Sequence, residues 1–399
     1  MKRTTRDDRR PGTRRLGTEQ RRRQLADEAA RRFHRYGFHQ VSLASVAGAV
    51  GVTAPAVYRH FRNKNALLAG AIDNALDVVD AALADARDGS LEALFLNLAG
   101  AALERRDLWI LLQREMRHLD GDERATVKNR FDAFVTRFSD RVREVRPDLD
   151  DEQITLLVTA ILGTLSSPSA NWVRLSREVY RWVLSATAVA AALTRFPPPA
   201  PDTLPPLVPD RGEAPGSRSE ELLETAIRLF DEHGYAAVSL DDIGTAIGLT
   251  GPSIYYHFAT KSELLVTAFT RAAHRLVVDQ AENGGAALDD LVRGYIEVGV
   301  RQRHLFGVYV TEAINLPPED RHRISAELSV NVEQWSNALR LRRPELDEAE
   351  SLVLVHAARG IVNDVVRVGH LHARPQIRAE LEALLGAVLD ASVPHDGTA

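Results

Sequence analysis

The chain has 399 residues, no cysteine, 45% hydrophobic residues, and 50 Lys and Arg against 55 Asp and Glu. This is the composition of a folded chain of two or three domains rather than a disordered one, and it excludes disulfides, thiolate metal sites and cysteine nucleophiles. The longest apolar stretches, such as residues 154–165, are about 12 residues long and fall short of the roughly 20 that a bilayer span needs; no apolar segment of a secretory signal follows the basic N-terminus, so a cytoplasmic chain is expected.

The net charge of −5 hides an asymmetry. Residues 1–64 hold 16 basic and 5 acidic side chains, which leaves 34 basic against 50 acidic in the rest. A basic end of this kind suits a polyanionic partner. Residues 1–18 have no apolar periodicity and read as a basic disordered tail. From Leu25 the pattern is helical: Leu25, Ala29, Ala30 and Phe33 recur at three-to-four spacing, and Gly37 follows as a stop signal. Ser42 stands where an N-cap is wanted, before a short helix that ends near Gly51. Thr53 then opens another helix with Pro55 in its first turn. Long helix, short helix, glycine turn, short helix is the layout of a helix-turn-helix DNA reader.

The whole arrangement is written twice, 197 residues apart. Between 33–68 and 230–265, 15 of 36 positions are identical. The offset persists downstream: Glu115 falls on Glu312, RPDLD (146–150) on RPELD (343–347), and Gly163 on Gly360. A register held over some 130 residues means two copies of one unit. Between them, residues 196–217 carry 8 of the 18 prolines and read as a semi-rigid linker, able to span up to roughly 65–70 Å. In the second copy Ser239 and Asp242 form an approximate capping box.

The segments GVTAPAVYRHFRNKNALL (51–68) and GLTGPSIYYHFATKSELL (248–265) resemble the signature of the TetR family of transcriptional regulators: glycine–apolar–Ser/Thr, a short recognition helix ending in Tyr-x-His-Phe, then x-x-Lys-x-x-Leu-Leu. The resemblance implies an all-α fold of two tandem units, each a three-helix DNA-reading head followed by a helical ligand-binding and dimerisation half, with the pair closing into an intramolecular pseudo-dimer. The expected boundaries are heads at 19–66 and 218–264, helical halves at 67–195 and 265–392, and a disordered tail at 393–399. It also implies the DNA contacts. Thr53 and Thr250 open the recognition helices; Ala54, Ala56 and Arg59, and Gly251, Ser253 and Tyr256, face the groove. Tyr58, Tyr255, His60 and His257 reach phosphates or base edges, while Lys64 and Lys261 hold phosphates and Ser42 and Ser239 offer hydroxyls. The heads differ in charge: residues 20–64 hold 9 basic and 2 acidic side chains, and residues 217–261 hold 3 and 7. The first head is therefore expected to contribute more DNA affinity.

Each helical half ends in two strongly apolar segments, 154–165 and 179–193, then 352–368 and 377–389; the family resemblance implies that these form a four-helix bundle between the copies. The rival is a dimer of chains carrying four heads. Candidate ligand contacts are Trp109, Glu115, His118 and Trp172 in the first copy, and Tyr309, Glu312, Asn315, His356 and Asn363 in the second. For Glu115 and Glu312 the competing reading is an ion pair with a nearby arginine. No P-loop, Gly-x-Ser-x-Gly, His-Glu-x-x-His or strand-linked Rossmann motif occurs, so neither an enzyme, a cofactor nor a metal is expected. The expected partners are operator DNA and a small-molecule effector, with no membrane. The expected function is a ligand-released repressor; the alternative is a ligand-binding or scaffold protein in which only the first head reads DNA.

Overall fold

A computed structural model describes residues 17–86, 89–198, 218–249, 251–281 and 287–393. The basic tail up to residue 16, most of the proline-rich linker, Thr250 and the C-terminal tail from 394 lie outside the described residues. Those described form helices and loops with no strand. Unit one comprises α1 (Thr18–Gln40), α2 (Leu43–Ala49), α3 (Ala54–Tyr58), α4 (Lys64–Ala84), α5 (Leu91–Glu104), α6 (Leu108–Ile110), α7 (Gly121–Val145), α8 (Asp151–Ser166) and α9 (Arg177–Ala192). Unit two repeats the order as α10 (Arg218–His233), α11 (Leu240–Ala246), α12 (Gly251–His257), α13 (Lys261–Ala281), α14 (Leu288–Arg301), α15 (Arg303–Glu312), α16 (Pro318–Arg342), α17 (Glu348–Val365) and α18 (Ile377–Leu389).

Each head closes on equivalent side chains. Leu25, Ala29, Phe33, Val46, Val57, Phe61, Leu67 and Leu68 are buried in the first, and Leu222, Ala226, Phe230, Ile243, Ile254, Phe258, Leu264 and Leu265 in the second. Burying such a side chain contributes about 1.5–3 kcal/mol, so the apolar period of α1 and α10 positions the readers. Ser42 caps α2 by accepting from the Ser45 N–H at 3.1 Å. The capping box of α11 is complete: Ser239 Oγ accepts from the Asp242 N–H at 3.1 Å, and Asp242 accepts from the Ser239 N–H at 2.8 Å. Thr53 occupies the N-cap position of α3, but its hydroxyl makes no cap bond. Gly37 is a kink rather than a stop: its φ of 76° breaks the helix locally, and the chain regains a helical turn to Gln40. At Gly234 (φ 84°) the helix does end.

The repeated RPxLD strings tie helix ends together. Arg146 Nη1 donates to the carbonyls of Ala192 and Thr194 at the end of α9, and Arg343 Nη1 to those of Leu389 and Ala391 at the end of α18. Asp150 and Asp347 then cap α8 and α17. Helices α8, α9, α17 and α18 pack as a four-helix bundle joining the units. At its centre α8 crosses α17 so closely that a Cβ placed on Gly163 would lie 2.7 Å from the Gly360 carbonyl oxygen. These glycines are 197 residues apart, the repeat offset, so each meets its own counterpart. Such self-contact marks a two-fold axis of an isologous interface, here within one chain.

Candidate functional site

The outer faces of the heads carry large side chains with little to hold them. Tyr58 is 58% exposed, Tyr255 53% and Tyr256 89%. Arg59, Ser42, Thr53, Ser239 and Ser253 are also exposed; Ala54 and Ala56 on α3, His60 in the turn after it and His257 at the end of α12 are half-buried. Gly251 is the first residue of α12. Lys64 and Lys261 sit inward of that face. Lys64 Nζ lies 4.3 Å from the centre of the Phe38 ring and donates to the His39 carbonyl at 3.4 Å. Lys261 Nζ lies 4.3 Å from the Tyr235 ring and donates to the Val238 carbonyl at 2.8 Å. Burial lowers the pKa of both ammonium groups. In the free protein each lysine thus staples the turn after the first helix of its head to the start of the fourth.

The shared glutamates join head to helical half. Glu115 Oε2 accepts from the Phe38 N–H at 2.9 Å, and Glu312 Oε1 from the Tyr235 N–H at 3.3 Å. Both are 1% exposed. Each also meets an arginine: Glu115 pairs with Arg114, while Glu312 pairs with Arg117 of the other unit. Arg114 in turn donates to the carbonyls of Phe33 and His34 at 2.8 Å. Asn315 donates to Glu312 at 2.7 Å, and the His118 ring stacks on Phe38 with centroids 4.9 Å apart. Burial, with Arg117, His39, Lys64 and Arg114 nearby, lowers the His118 pKa to about 4, so it is neutral at neutral pH. Glu115, His118, Glu312 and Asn315 therefore line a cleft of about 730 Å³ between the units, where the two heads meet the helical halves.

A separate, apolar cavity of about 60 Å³ lies inside unit one. Its wall includes Leu76, Leu98, Ala102, Trp109, Phe131, Phe134, Leu162 and Leu165, with Arg105, Ser166 and Ser169 as its polar groups. Among the expected ligand contacts of unit one only Trp109 lines it. Trp172 is 84% exposed, its ring under the Arg106 guanidinium. In unit two, Tyr309 packs edge-on against Phe269, Asn363 accepts from the Tyr295 hydroxyl at 2.7 Å, and burial, then Arg359, lowers the His356 pKa to about 3.

Two residues of the cavity wall reach beyond it. Arg105 is forked onto Asp107 at 2.9–3.0 Å and approaches Asp27 of α1 at 3.4 Å, linking cavity to head. Trp109 bonds to Asp364 of unit two, which also accepts from Gln113 at 3.0 Å and meets Ser166 at 3.5 Å. Asp364 is fully buried and its pKa is pushed up to about 6 by desolvation, against the opposing effect of Arg367 at 3.8 Å. Arg367 completes the cluster by donating to Gln113 at 2.9 Å. Sequence reading missed Arg105, Gln113, Asp364 and Arg367. The available signal was a charged residue inside an apolar segment, since Asp364 and Arg367 stand within 352–368. Between Trp109 and Glu115 the helix widens into a π-helical turn, Leu111–Glu115, whereas the equivalent stretch of α15 is an ordinary α-helix.

Twin helix-turn-helix heads on a shared helical bundle define a DNA-binding regulator. The family signature described as bacterial regulatory proteins, tetR family, matches residues 25–71 and 222–268. The HTH-type transcriptional repressor KstR2 of Mycobacterium tuberculosis is 31% identical over 144 residues, 33% of this chain and 72% of that protein. The HTH-type transcriptional repressor AcnR of Corynebacterium efficiens is 29% identical over 120 residues, 30% of this chain and 62% of that protein. Among solved structures, the TetR family transcriptional regulator PfmR of Thermus thermophilus is 25% identical, with a TM-score of 0.37, covering 45% of this chain and 99% of that one. The chain belongs to the tetR family of bacterial regulatory proteins.

Proposed function

We propose that the chain is a sequence-specific transcriptional repressor that places two unequal heads, 19–66 and 218–264, on one operator and leaves DNA when a small molecule enters a helical half. The observation that carries this reading is the repetition of exposed polar and aromatic groups at matched positions, Tyr58 with Tyr255 and Arg59 with Tyr256, over buried and matched head cores. Exposed aromatics at both positions suit a surface that meets a partner. Thr53, with a hydroxyl not spent on capping, Arg59 and Tyr58 in head one, and Ser253, Tyr255 and Tyr256 in head two, are the proposed contacts. Arg59 is the one suited to bidentate recognition of guanine. With the copies fused across the Gly163–Gly360 axis, a single chain supplies the two readers that half-sites about one helical turn apart require.

Release follows from how small the cavity is. A ligand of ordinary size needs some 300 Å³ or more, so its entry moves the wall. Displacing Arg105 pulls on Asp27 in the head; displacing Trp109 works through the π-helical turn to Glu115, which holds the Phe38 N–H. The result is a tilt of head one relative to head two and a misfit to fixed half-sites. Footprinting upstream of the chain's own gene, with sedimentation on the site found, tests the proposal. One chain protecting two half-sites is expected; two chains per minimal site overturn the single-chain arrangement.

A further inference from the structure

We infer that the chain has one effector site, not two: the cavity of unit one takes a neutral, mainly apolar molecule, and the matching space of unit two is permanently occupied by the protein's own Arg359. This rests on the ligand-released reading and fixes its stoichiometry and ligand class.

The argument compares positions 197 apart. Leu162 of the cavity wall becomes Arg359, Leu98 becomes Tyr295, Phe134 becomes Asn331, and Ser166 becomes Asn363. These substitutions answer one another. The Arg359 guanidinium lies over the Tyr295 ring at 4.2 Å and within 6.0 Å of the Trp335 ring. It donates to the Asn331 side-chain oxygen, and Asn331 Nδ2 donates to the Leu276 carbonyl at 2.9 Å. The Tyr295 hydroxyl donates to Asn363 at 2.7 Å. Asn331 and Trp335 have no exposed surface, and Arg359 is 9% exposed. Aromatic faces and a side-chain amide suit a desolvated guanidinium, so the arginine fills the place an effector would take and is itself held by Asn331, Tyr295 and Trp335.

The backbone of unit two has closed over the same space. Ala102 of the cavity wall corresponds to Gly299, and a Cβ there would lie 2.6 Å from Val362, 3.6 Å from Val366 and 3.7 Å from Phe306. Those three residues are the counterparts of Leu165, Ser169 and Trp109, all wall residues in unit one. What is open in one copy is packed side chain against backbone in the other. In unit one the only charged wall residue, Arg105, is already neutralised by Asp107, so nothing there calls for an anionic ligand. The links out of the cavity start from the same wall: Trp109 and Ser166 touch Asp364 of unit two, and the π-helical turn of unit one, Leu111–Glu115, begins two residues after Trp109. The signal therefore starts in unit one and reaches unit two across the bundle.

The test is fluorescence titration of the full chain with N-phenyl-1-naphthylamine, a neutral apolar probe, alongside 1-anilinonaphthalene-8-sulfonate, an anionic one. One neutral probe per chain is expected, none in Ala102→Trp, which fills the cavity, and two in Arg359→Ala, which empties the second space. Two neutral probes on the wild type, none on it, one retained in Ala102→Trp, or one in an Arg359→Ala chain that still melts cooperatively would overturn the inference. So would an anionic site on the wild type that Arg359→Leu removes. DNA retention by the same wild-type preparation is measured in parallel. Its loss would sink the repressor reading while leaving the probe stoichiometry standing.

Discussion

At position 162 stands leucine; 197 residues later, at the same place in the fold, stands arginine. The two units agree where the chain must fold and differ where it must respond. Head cores match residue for residue, RPxLD ties the same helix ends twice, and the bundle meets on paired glycines. The differences concentrate in three places: the recognition helices, the space inside each helical half, and the turn between that half and its head. A symmetric dimer of one short chain cannot vary these independently, because any substitution appears on both sides of its axis. Fusion removes that constraint. One head can be basic and carry Arg59 while the other is acidic and carries Tyr256, and one cavity can be open while the other is closed.

The largest expected effect is a failure of what the units share. Gly163→Val sets a branched side chain against the Gly360 backbone, where neither partner is a flexible side chain that can yield. A loss of roughly 3 kcal/mol or more is expected, read as a lower denaturant midpoint. Gly386→Ala is the control: nothing lies within 4 Å of a Cβ there, so this helix-favouring change should add up to about 1 kcal/mol. A valine tolerated at 163 would mean the bundle does not close on the axis. Next comes the difference between the heads. Arg59→Ala should cost about 1–3 kcal/mol of operator binding and relax specificity in one half-site only, whereas Tyr256→Ala should cost less and act on the other. Band-shift titrations on operators mutated in each half-site separate the two. Equal losses from both variants would make the heads equivalent and remove the electrostatic asymmetry. A third comparison concerns transmission. Glu115→Gln should leave operator affinity within a few fold while reducing ligand-driven release, by about the 1–3 kcal/mol typical of coupling between sites. If Glu312→Gln reduces release equally, the signal does not start in unit one.

Much of this architecture was legible in the chain. The repeat, the heads and their cores followed from helical period and from glycine, proline and serine placed at helix ends, because those residues act over three or four positions. Residues 154–165, 352–368 and 377–389 fell close to α8, α17 and α18 for the same reason. The helical halves were less legible. Glu115 and Glu312 stood out by repetition, but repetition does not say whether a carboxylate faces a ligand or a backbone N–H; that depends on Gly37 and Gly234 turning the chain toward it. Trp172 reads as a core or pocket residue by type, yet it lies on the surface, in the loop five residues before α9 begins, where no described helix covers it. Lys64 and Lys261 have the charge of phosphate contacts, but a ring and a carbonyl in the preceding turn hold them first. The Arg359 plug and the Asp364 cluster needed three-dimensional information, since Arg359 meets Asn331, 28 residues away, and Asp364 meets Gln113, 251 residues away.

The smallest expected effect tests the one carboxylate that joins the cavity of unit one to unit two. Asp364 is pushed up to about 6 by burial, although Arg367, Gln113, Trp109 and Ser166 all favour its charged form. Its folded-state pKa thus lies above the unfolded value of about 3.9. Between those values the folded chain holds a proton that the unfolded chain has released, so this group's contribution to stability falls as pH rises toward 6 and is flat above it. Asp364→Asn removes the titration. Other carboxylates, such as Glu297 with its pKa held low by Arg378, act in the opposite direction but equally in both proteins. The wild type should therefore gain on Asp364→Asn by roughly 1 kcal/mol between pH 7 and pH 5, measured as the difference between their denaturant midpoints at each pH. A difference that does not change with pH would mean that Asp364 stays charged throughout. The bond from Trp109 would then be a fixed ionic anchor rather than a group whose protonation an effector in the cavity can shift.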